Sequence, residues 1–308
     1  MEFFGKTNID FIGRRKIAFA ISAVIVVLGI IGVIQIARGA ANMGIDFSGG
    51  TSIQLKFDKP LAIAEARTAL AKGGIAKADL QEIKDGNKLL IKLDNNAGSS
   101  LGKPVAAVET IFKQAFPDNG FMVESSTEIG PSIGDKLRKD TLTAVAIALC
   151  GIVLYIAWRF DFKFGIGAVI ATAHDCLAMV AVFYLLNKEI NLLFITALLT
   201  IAGYSLSDTV VVFDRIRENL HKDMKSAAHT IFNQSINEVL SRTVITSLTT
   251  VLAAASLFFL GGEVIHDFSM ALLIGLLVGT YSSIFVASPI VVVLEQRRQK
   301  KLAAIGKA

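Results

Sequence analysis

Six apolar runs set the frame for this 308-residue chain, at 17–37, 141–157, 165–186, 192–213, 244–260 and 268–294. Each is near the roughly 20 residues that a helix needs to cross a hydrocarbon layer, so a membrane-embedded helical bundle is expected. Composition agrees, with 53% hydrophobic and only 19% charged residues, against about 25% charged in an ordinary soluble domain. The net charge of +5 does not point to nucleic acid, because the basic residues flank the apolar runs, where membrane topology puts them. Cys150 and Cys176 lie inside apolar runs without metal-ligand spacing, which argues against a disulfide framework or a zinc site.

The first run follows Arg14-Arg15-Lys16 in the manner of a secretory signal. Its apolar part exceeds the roughly 7–15 residues of a signal core, so an uncleaved anchor is expected. Arg159 and Lys163 join the second and third runs. Arg215, Arg217, Lys222 and Lys225 follow the fourth, and Arg297, Arg298, Lys300 and Lys301 follow the sixth. The short loops on the opposite side hold one lysine (187–191) and no Lys or Arg (261–267). By the positive-inside rule, residues 1–16, a loop near 214–241 and the basic tail 295–308 are cytoplasmic. Residues 38–140, between the first two spans, then lie outside.

That outer stretch reads as a soluble domain. Residues 51–57 alternate as a strand, with Ile53, Leu55 and Phe57 on one face. A helix over 61–71 closes at Gly73-Gly74, and strands at 79–84 and 88–93 are joined through Asp85-Gly86-Asn87, a strong hairpin signal. A helix over 105–116 stops before Pro117, and a last strand covers 121–128. The order β-α-β-β-α-β is that of a ferredoxin-like α+β unit. Nothing in it forms a catalytic constellation, so a docking or peptide-contacting module is expected rather than an enzyme.

Ionisable residues inside the apolar runs are the chemical signal. Asp208 lies five residues before the end of the fourth run, about 7–8 Å deep at 1.5 Å per residue. A carboxylate at a bilayer centre costs about 2.5–3.5 kcal/mol even on insertion scales, and such groups face a bundle interior and find a partner. Arg242, just ahead of the fifth run, is the cation that a return of the chain brings to the same side. A nearby guanidinium favours the ionised carboxyl, and separating the two favours proton uptake. His174-Asp175 forms a second cluster near the middle of the third run. A histidine there can pass protons or simply hold its neighbour by a hydrogen bond.

Lesser features have plainer readings. The small-residue stripe Gly275, Gly279 and Ser283 suits close helix packing. Pro289 is placed to kink the last helix. Residues 228–240 are apolar at helical spacing, and either lie along the inner surface or extend the fifth helix. Gly5-Lys6-Thr7 imitates the end of a phosphate-binding loop without the rest of that motif. No nucleotide or peptide hydrolysis is expected, and no cofactor.

Longer motifs carry a family resemblance. Ile9-Asp10-Phe11-Ile12-Gly13-Arg14-Arg15-Lys16 and Gly44-Ile45-Asp46-Phe47-Ser48-Gly49-Gly50-Thr51 resemble the amino-terminal and domain-entrance motifs of the SecD/SecF family. Ala173-His174-Asp175, the stretch from Gly203 to Asn219, and Ser241-Arg242-Thr243-Val244-Ile245-Thr246-Ser247 resemble its third-, fourth- and fifth-helix motifs. The resemblance implies a six-helix half of an RND-type transporter, of the SecF kind, in the bacterial inner membrane. It implies pairing with SecD, assistance to the SecYEG channel and the SecA motor, YajC as a further candidate partner, and contact with translocating unfolded preproteins. It also implies coupling to the proton-motive force, with Asp208 and Arg242 as relay positions beside His174 and Asp175. Na⁺ remains open as the ion, since Ser207 and Thr209 flank the carboxylate. Two other readings stand beside it: an RND-like exporter half for a lipid or small molecule, and a passive translocon assembly factor.

Overall fold

The computed structural model describes residues 7–76, 78–83, 87–93, 103–223 and 226–305. It separates into two compact units, residues 43–144 and the remainder of the chain. In chain order the elements begin with α1 (Arg15–Ala37), α2 (Ile45–Ser48), β1 (Gly50–Phe57), α3 (Ile63–Lys72), β2 (Ala78–Ile83) and β3 (Lys88–Leu93). There follow α4 (Pro104–Ala115), β4 (Phe121–Ile129), α5 (Pro131–Arg159), α6 (Phe162–Leu185), α7 (Leu192–Lys222) and α8 (Ala228–Leu260). Last come α9 (Glu263–Ser282), a π turn (Ser283–Ala287) and α10 (Ser288–Ile305).

In the smaller unit the sheet order is β2-β3-β1-β4, with every neighbouring pair antiparallel. This is the ferredoxin-like arrangement. Period-two alternation places Ile53, Leu55 and Phe57 of β1 and Leu89, Ile91 and Leu93 of β3 on one face. They pack against Ala66 and Leu70 of α3 and Val108 and Phe112 of α4. The other face is polar: Lys88 Nζ stands 2.8 Å from the Glu124 carboxyl and holds it below the ordinary carboxylate range. Asp85 and Gly86 of the expected hairpin lie outside the described residues. Gly49 and Gly50 take φ of +68° and +133°, which side-chain-bearing residues rarely adopt. A Cβ on Gly134 of α5 would sit 3.0 Å from the Gly49 nitrogen, so a bare Gly134 lets α5 come close to the turn that the paired glycines make.

Among the described residues six helices are long and apolar enough to cross a membrane. They overrun the apolar stretches that reveal them. Helix α5 starts at Pro131 instead of 141, and α7 continues past Phe213 to Lys222. Apolarity marks what contacts lipid, whereas the hydrogen-bond ladder continues wherever polar helix formers follow. Residues 228–240 are not a separate surface helix; α8 runs unbroken from Ala228 to Leu260. At the last span Pro289 lacks an N–H for the carbonyl one turn earlier, and the wide turn at Ser283–Ala287 lies just before it.

Small residues set the closest helix contacts. A Cβ on Gly29 of α1 would lie 2.4 Å from the Leu177 carbonyl oxygen on α6. Cβ atoms on Gly275 and Gly279 of α9 would meet Ile201 and Ser205 of α7 at 2.6 and 3.0 Å. The amino-terminal motif is a strap across α8. Asn233 Oδ1 accepts from the Phe11 and Ile12 amides at 2.8 and 3.2 Å. Asn237 both accepts from the Ile9 amide and donates to its carbonyl, each at 2.9 Å. Phe11 and Ile12 are thereby buried in the apolar cluster around Phe160, Phe164 and Phe213.

Candidate functional site

Among the described residues three carboxyl groups of the six long helices are buried: Glu295 is paired with Lys163, while Asp175 and Asp208 have no Lys or Arg ion pair and are held differently from one another. Asp175 of α6 has no exposed surface. Its Oδ2 accepts from Ser205 Oγ of α7 and from Ser282 Oγ of α9, the latter at 2.8 Å. Its Oδ1 lies 3.0 Å from His174 Nδ1. Three helices therefore meet on one side chain, and both carboxyl oxygens are satisfied. His174 is also buried, and its Nε2 has no hydrogen-bond partner among the described residues.

Asp208 of α7 is 8% exposed. A single hydroxyl, Ser247 Oγ of α8, stands 3.4 Å from its Oδ2. Ser247 in turn lies 2.8 Å from Thr280 Oγ1 of α9. The neighbouring Thr209 Oγ1 and the Thr243 Oγ1 of α8 are buried without partners among the described residues. Among the described residues one long hydrogen bond is all that meets the Asp208 carboxyl, fewer than a buried carboxylate can accept.

Sequence reasoning offered Arg242 as the partner of Asp208. Among the described residues no ion pair joins them. Arg242 is exposed, and the carboxyl is met by Ser247, five residues further along the same helix. The reason lies in the faces of α7 and α8. On α7 the exposed positions include Thr196, Thr200, Gly203 and Ser207; on α8 they include Arg242, Thr246, Thr249, Ala253 and Ser256. Both sets recur at helical spacing and are small or polar, while α8 also exposes Leu248, Leu252 and Leu257 beside its set. By contrast the exposed faces of α1 and α5 are Ile17, Ile21, Val24 and Val27, and Ile147, Leu154 and Trp158. Lipid is matched by the second kind of face, whereas close helix–helix contact favours the first.

Sequence reasoning overlooked Ser205, Ser282 and Ser247, which reach the two carboxyls directly, and Thr280, which reaches Asp208 through Ser247. The small-residue stripe on the last span contained the clue, because Gly279 is what lets α9 approach Ser205. It also overlooked the acidic partners of the basic loops. Arg159 forks onto Asp214 at 2.8 and 3.0 Å, Lys163 meets Glu295 at 2.6 Å, and Arg215 meets Glu238 at 2.6 Å.

Comparison with known proteins gives the arrangement a family. A model described as "Protein export membrane protein SecD/SecF, C-terminal" matches residues 107–297, and one for the SecD/SecF GG motif matches residues 41–61. A protein translocase subunit SecF from Thermodesulfovibrio yellowstonii is 53% identical over 296 residues, covering 96% of this chain and 97% of that one. The SecF of Vibrio alginolyticus is 39% identical, covering 91% of this chain and 88% of that one. The crystal structure of SecDF, a translocon-associated membrane protein from Thermus thermophilus, superposes with a TM-score of 0.80 at 35% identity. That match covers 94% of this chain and 39% of the solved chain, so this chain spans about two fifths of a structure that also contains the SecD part. With six membrane helices, a ferredoxin-like unit between the first two and near full-length likeness to its members, the chain belongs to the SecF family of protein translocase subunits.

Proposed function

We propose that this chain, paired with a SecD-type half in the bacterial inner membrane, couples the proton-motive force to protein export. Asp208 is the proton-loading group and Arg242 the cation that answers its charge. The observation that carries this reading is the incompleteness of the Asp208 site: a buried carboxyl with one long hydrogen bond, beside a polar helix face that displays Arg242. A partner half seated on the α7–α8 face would cover that guanidinium. It would enclose the pocket around Asp208, and could bring acidic or hydroxyl groups of its own. His174 and Asp175 form the second member of the relay.

In this reading both termini are cytoplasmic and the ferredoxin-like unit stands on the outer side, where it contacts emerging preprotein. SecYEG and SecA are the machinery it assists, with YajC a further candidate partner. A potential of about 100 mV supplies about 2.3 kcal/mol per proton charge moved. That is enough to bias a two-state equilibrium about fifty-fold, since about 1.4 kcal/mol is tenfold. The test is export into vesicles by the assembled translocase. With Asp208→Asn, export is expected to fall to the rate seen without a gradient. Gradient-stimulated export at the unmodified rate would remove Asp208 from the mechanism.

A further inference from the structure

Helix α9 carries two hydroxyls, two residues apart, one bonded to a buried carboxyl and the other connected to a second through Ser247. Ser282 Oγ lies 2.8 Å from Asp175 Oδ2 and 3.2 Å from the Gly279 carbonyl oxygen of its own helix. Thr280 Oγ1 lies 2.8 Å from Ser247 Oγ and 2.8 Å from the Leu276 carbonyl oxygen. Ser247 Oγ then leads to Asp208 Oδ2 at 3.4 Å. A hydroxyl has one proton to donate, so Thr280 and Ser282 must each choose between a side chain and their own helix.

The charge of the carboxyl makes that choice. A carboxylate only accepts, so ionised Asp208 takes the proton of Ser247, and Ser247 accepts from Thr280. Protonated Asp208 donates to Ser247; Ser247 then donates to Thr280, and Thr280 turns to Leu276. The same two states exist for Ser282, between Asp175 and Gly279. No O–H bond breaks in these hydroxyls; each rotates about its C–O bond, and the chain of donors reverses.

The backbone at this point is suited to respond. Ser282 and Ser283 are fully buried, and the π turn begins at Ser283. Side chains bridge the loosened ladder: Ser283 Oγ donates to the Thr280 carbonyl at 3.1 Å, and Ser288 Oγ to the Ser283 carbonyl at 3.0 Å. Wide turns of this kind interrupt a helix at points of functional movement. The ionisable groups that hydrogen bonds connect to the two hydroxyls are Asp175 of α6, with His174 beside it, and Asp208 of α7, reached through Ser247. Tyr281 of α9 is directed to α1, where its hydroxyl donates to the Ala18 carbonyl at 3.0 Å.

We propose that Thr280 and Ser282 are positioning residues that couple the two buried carboxyl groups, so that a change of charge at Asp208 alters the hydrogen bonds on Asp175 through α9. The inference rests on the reading of Asp208 as a carboxyl that exchanges a proton. Isotope-edited infrared spectroscopy of the chain in complex with its SecD-type half, with carboxyl-labelled aspartate, tests it. The Asp175 band is assigned by its loss in Asp175→Asn or its displacement in Asp175→Glu. Asp208→Asn is expected to shift that band. The shift should vanish when Thr280→Val or Ser282→Ala is added, and persist with Thr280→Ser. A band unmoved by Asp208→Asn, or a shift that survives both hydroxyl deletions, overturns the coupling. Export by the Asp208→Asn complex tests the underlying reading separately. Undiminished export with a moved band removes Asp208 from energy coupling and leaves the α9 linkage standing; lost export with an unmoved band does the reverse.

Discussion

Asp175 and Asp208 are both buried aspartates on neighbouring membrane helices, yet one is finished and the other is not. Asp175 gathers hydroxyls from α7 and α9 and the imidazole next to it, so its pocket is closed within this chain. Asp208 has one distant hydroxyl among the described residues, and Arg242 on the adjoining helix is exposed. A satisfied buried polar group pins the elements that satisfy it, whereas an unsatisfied one is costly and therefore changes state readily. Asp175 accordingly ties α6, α7 and α9 together, and on the proposed reading Asp208 is the group that a proton or a partner alters.

The contrast can be broken most forcefully at Asp175. Asp175→Ala leaves Ser205 and His174 without their acceptor, leaves Ser282 only the Gly279 carbonyl, and opens a void. Each abandoned buried group costs about 1–3 kcal/mol, so a loss of at least about 3 kcal/mol is expected in thermal unfolding of the detergent-solubilised chain. Next in size is the helix contact at Gly29. Its Cβ would strike backbone, which cannot yield as a side chain can, so Gly29→Ala should cost about 1–3 kcal/mol by overpacking. Gly279→Ala, which meets only the Ser205 side chain at 3.0 Å, should cost less in the same assay.

Asp208→Asn should change the stability of the isolated chain by about 1 kcal/mol or less, the worth of one hydrogen bond. A large loss there would erase the distinction between the two carboxyls. Arg242→Ala should be smaller still, within about 0.5 kcal/mol for an exposed side chain, while weakening co-purification with the SecD-type half. Equal retention of that half would show that the polar face of α7 and α8 is not where it docks.

How much of this was legible in the sequence depended on which physical pattern carried it. The ferredoxin-like unit announced itself, because water on one side forces a period-two alternation that Ile53, Leu55 and Phe57 display plainly. The spans were equally clear from apolar runs, but their helical ends were not. The ladder of α5 extends back through Asp135, Lys136 and Arg138, where hydropathy says only that lipid has ended. At the site, Asp208, His174 and Asp175 stood out because charge is conspicuous against an oily background. Ser205, Ser247, Thr280 and Ser282 did not, since a hydroxyl in a membrane helix usually bonds its own backbone. Which of them turns to a neighbour depends on packing that Gly279 and the turn before Pro289 arrange in three dimensions. The faces of α7 and α8 were missed for the same reason: Arg242 and Asp208 sit near one end of adjacent spans, and only the fold shows that Arg242 is exposed while Ser247 meets the carboxyl.

Proton flux through the assembled complex is the most direct probe of the claim that Asp208 is a group which takes up and releases a proton. Vesicles containing the complex and a trapped pH dye, with an imposed gradient, should show flux with the unmodified chain and none with Asp208→Asn, at unchanged amounts of assembled complex. Flux of equal size in both would contradict the account.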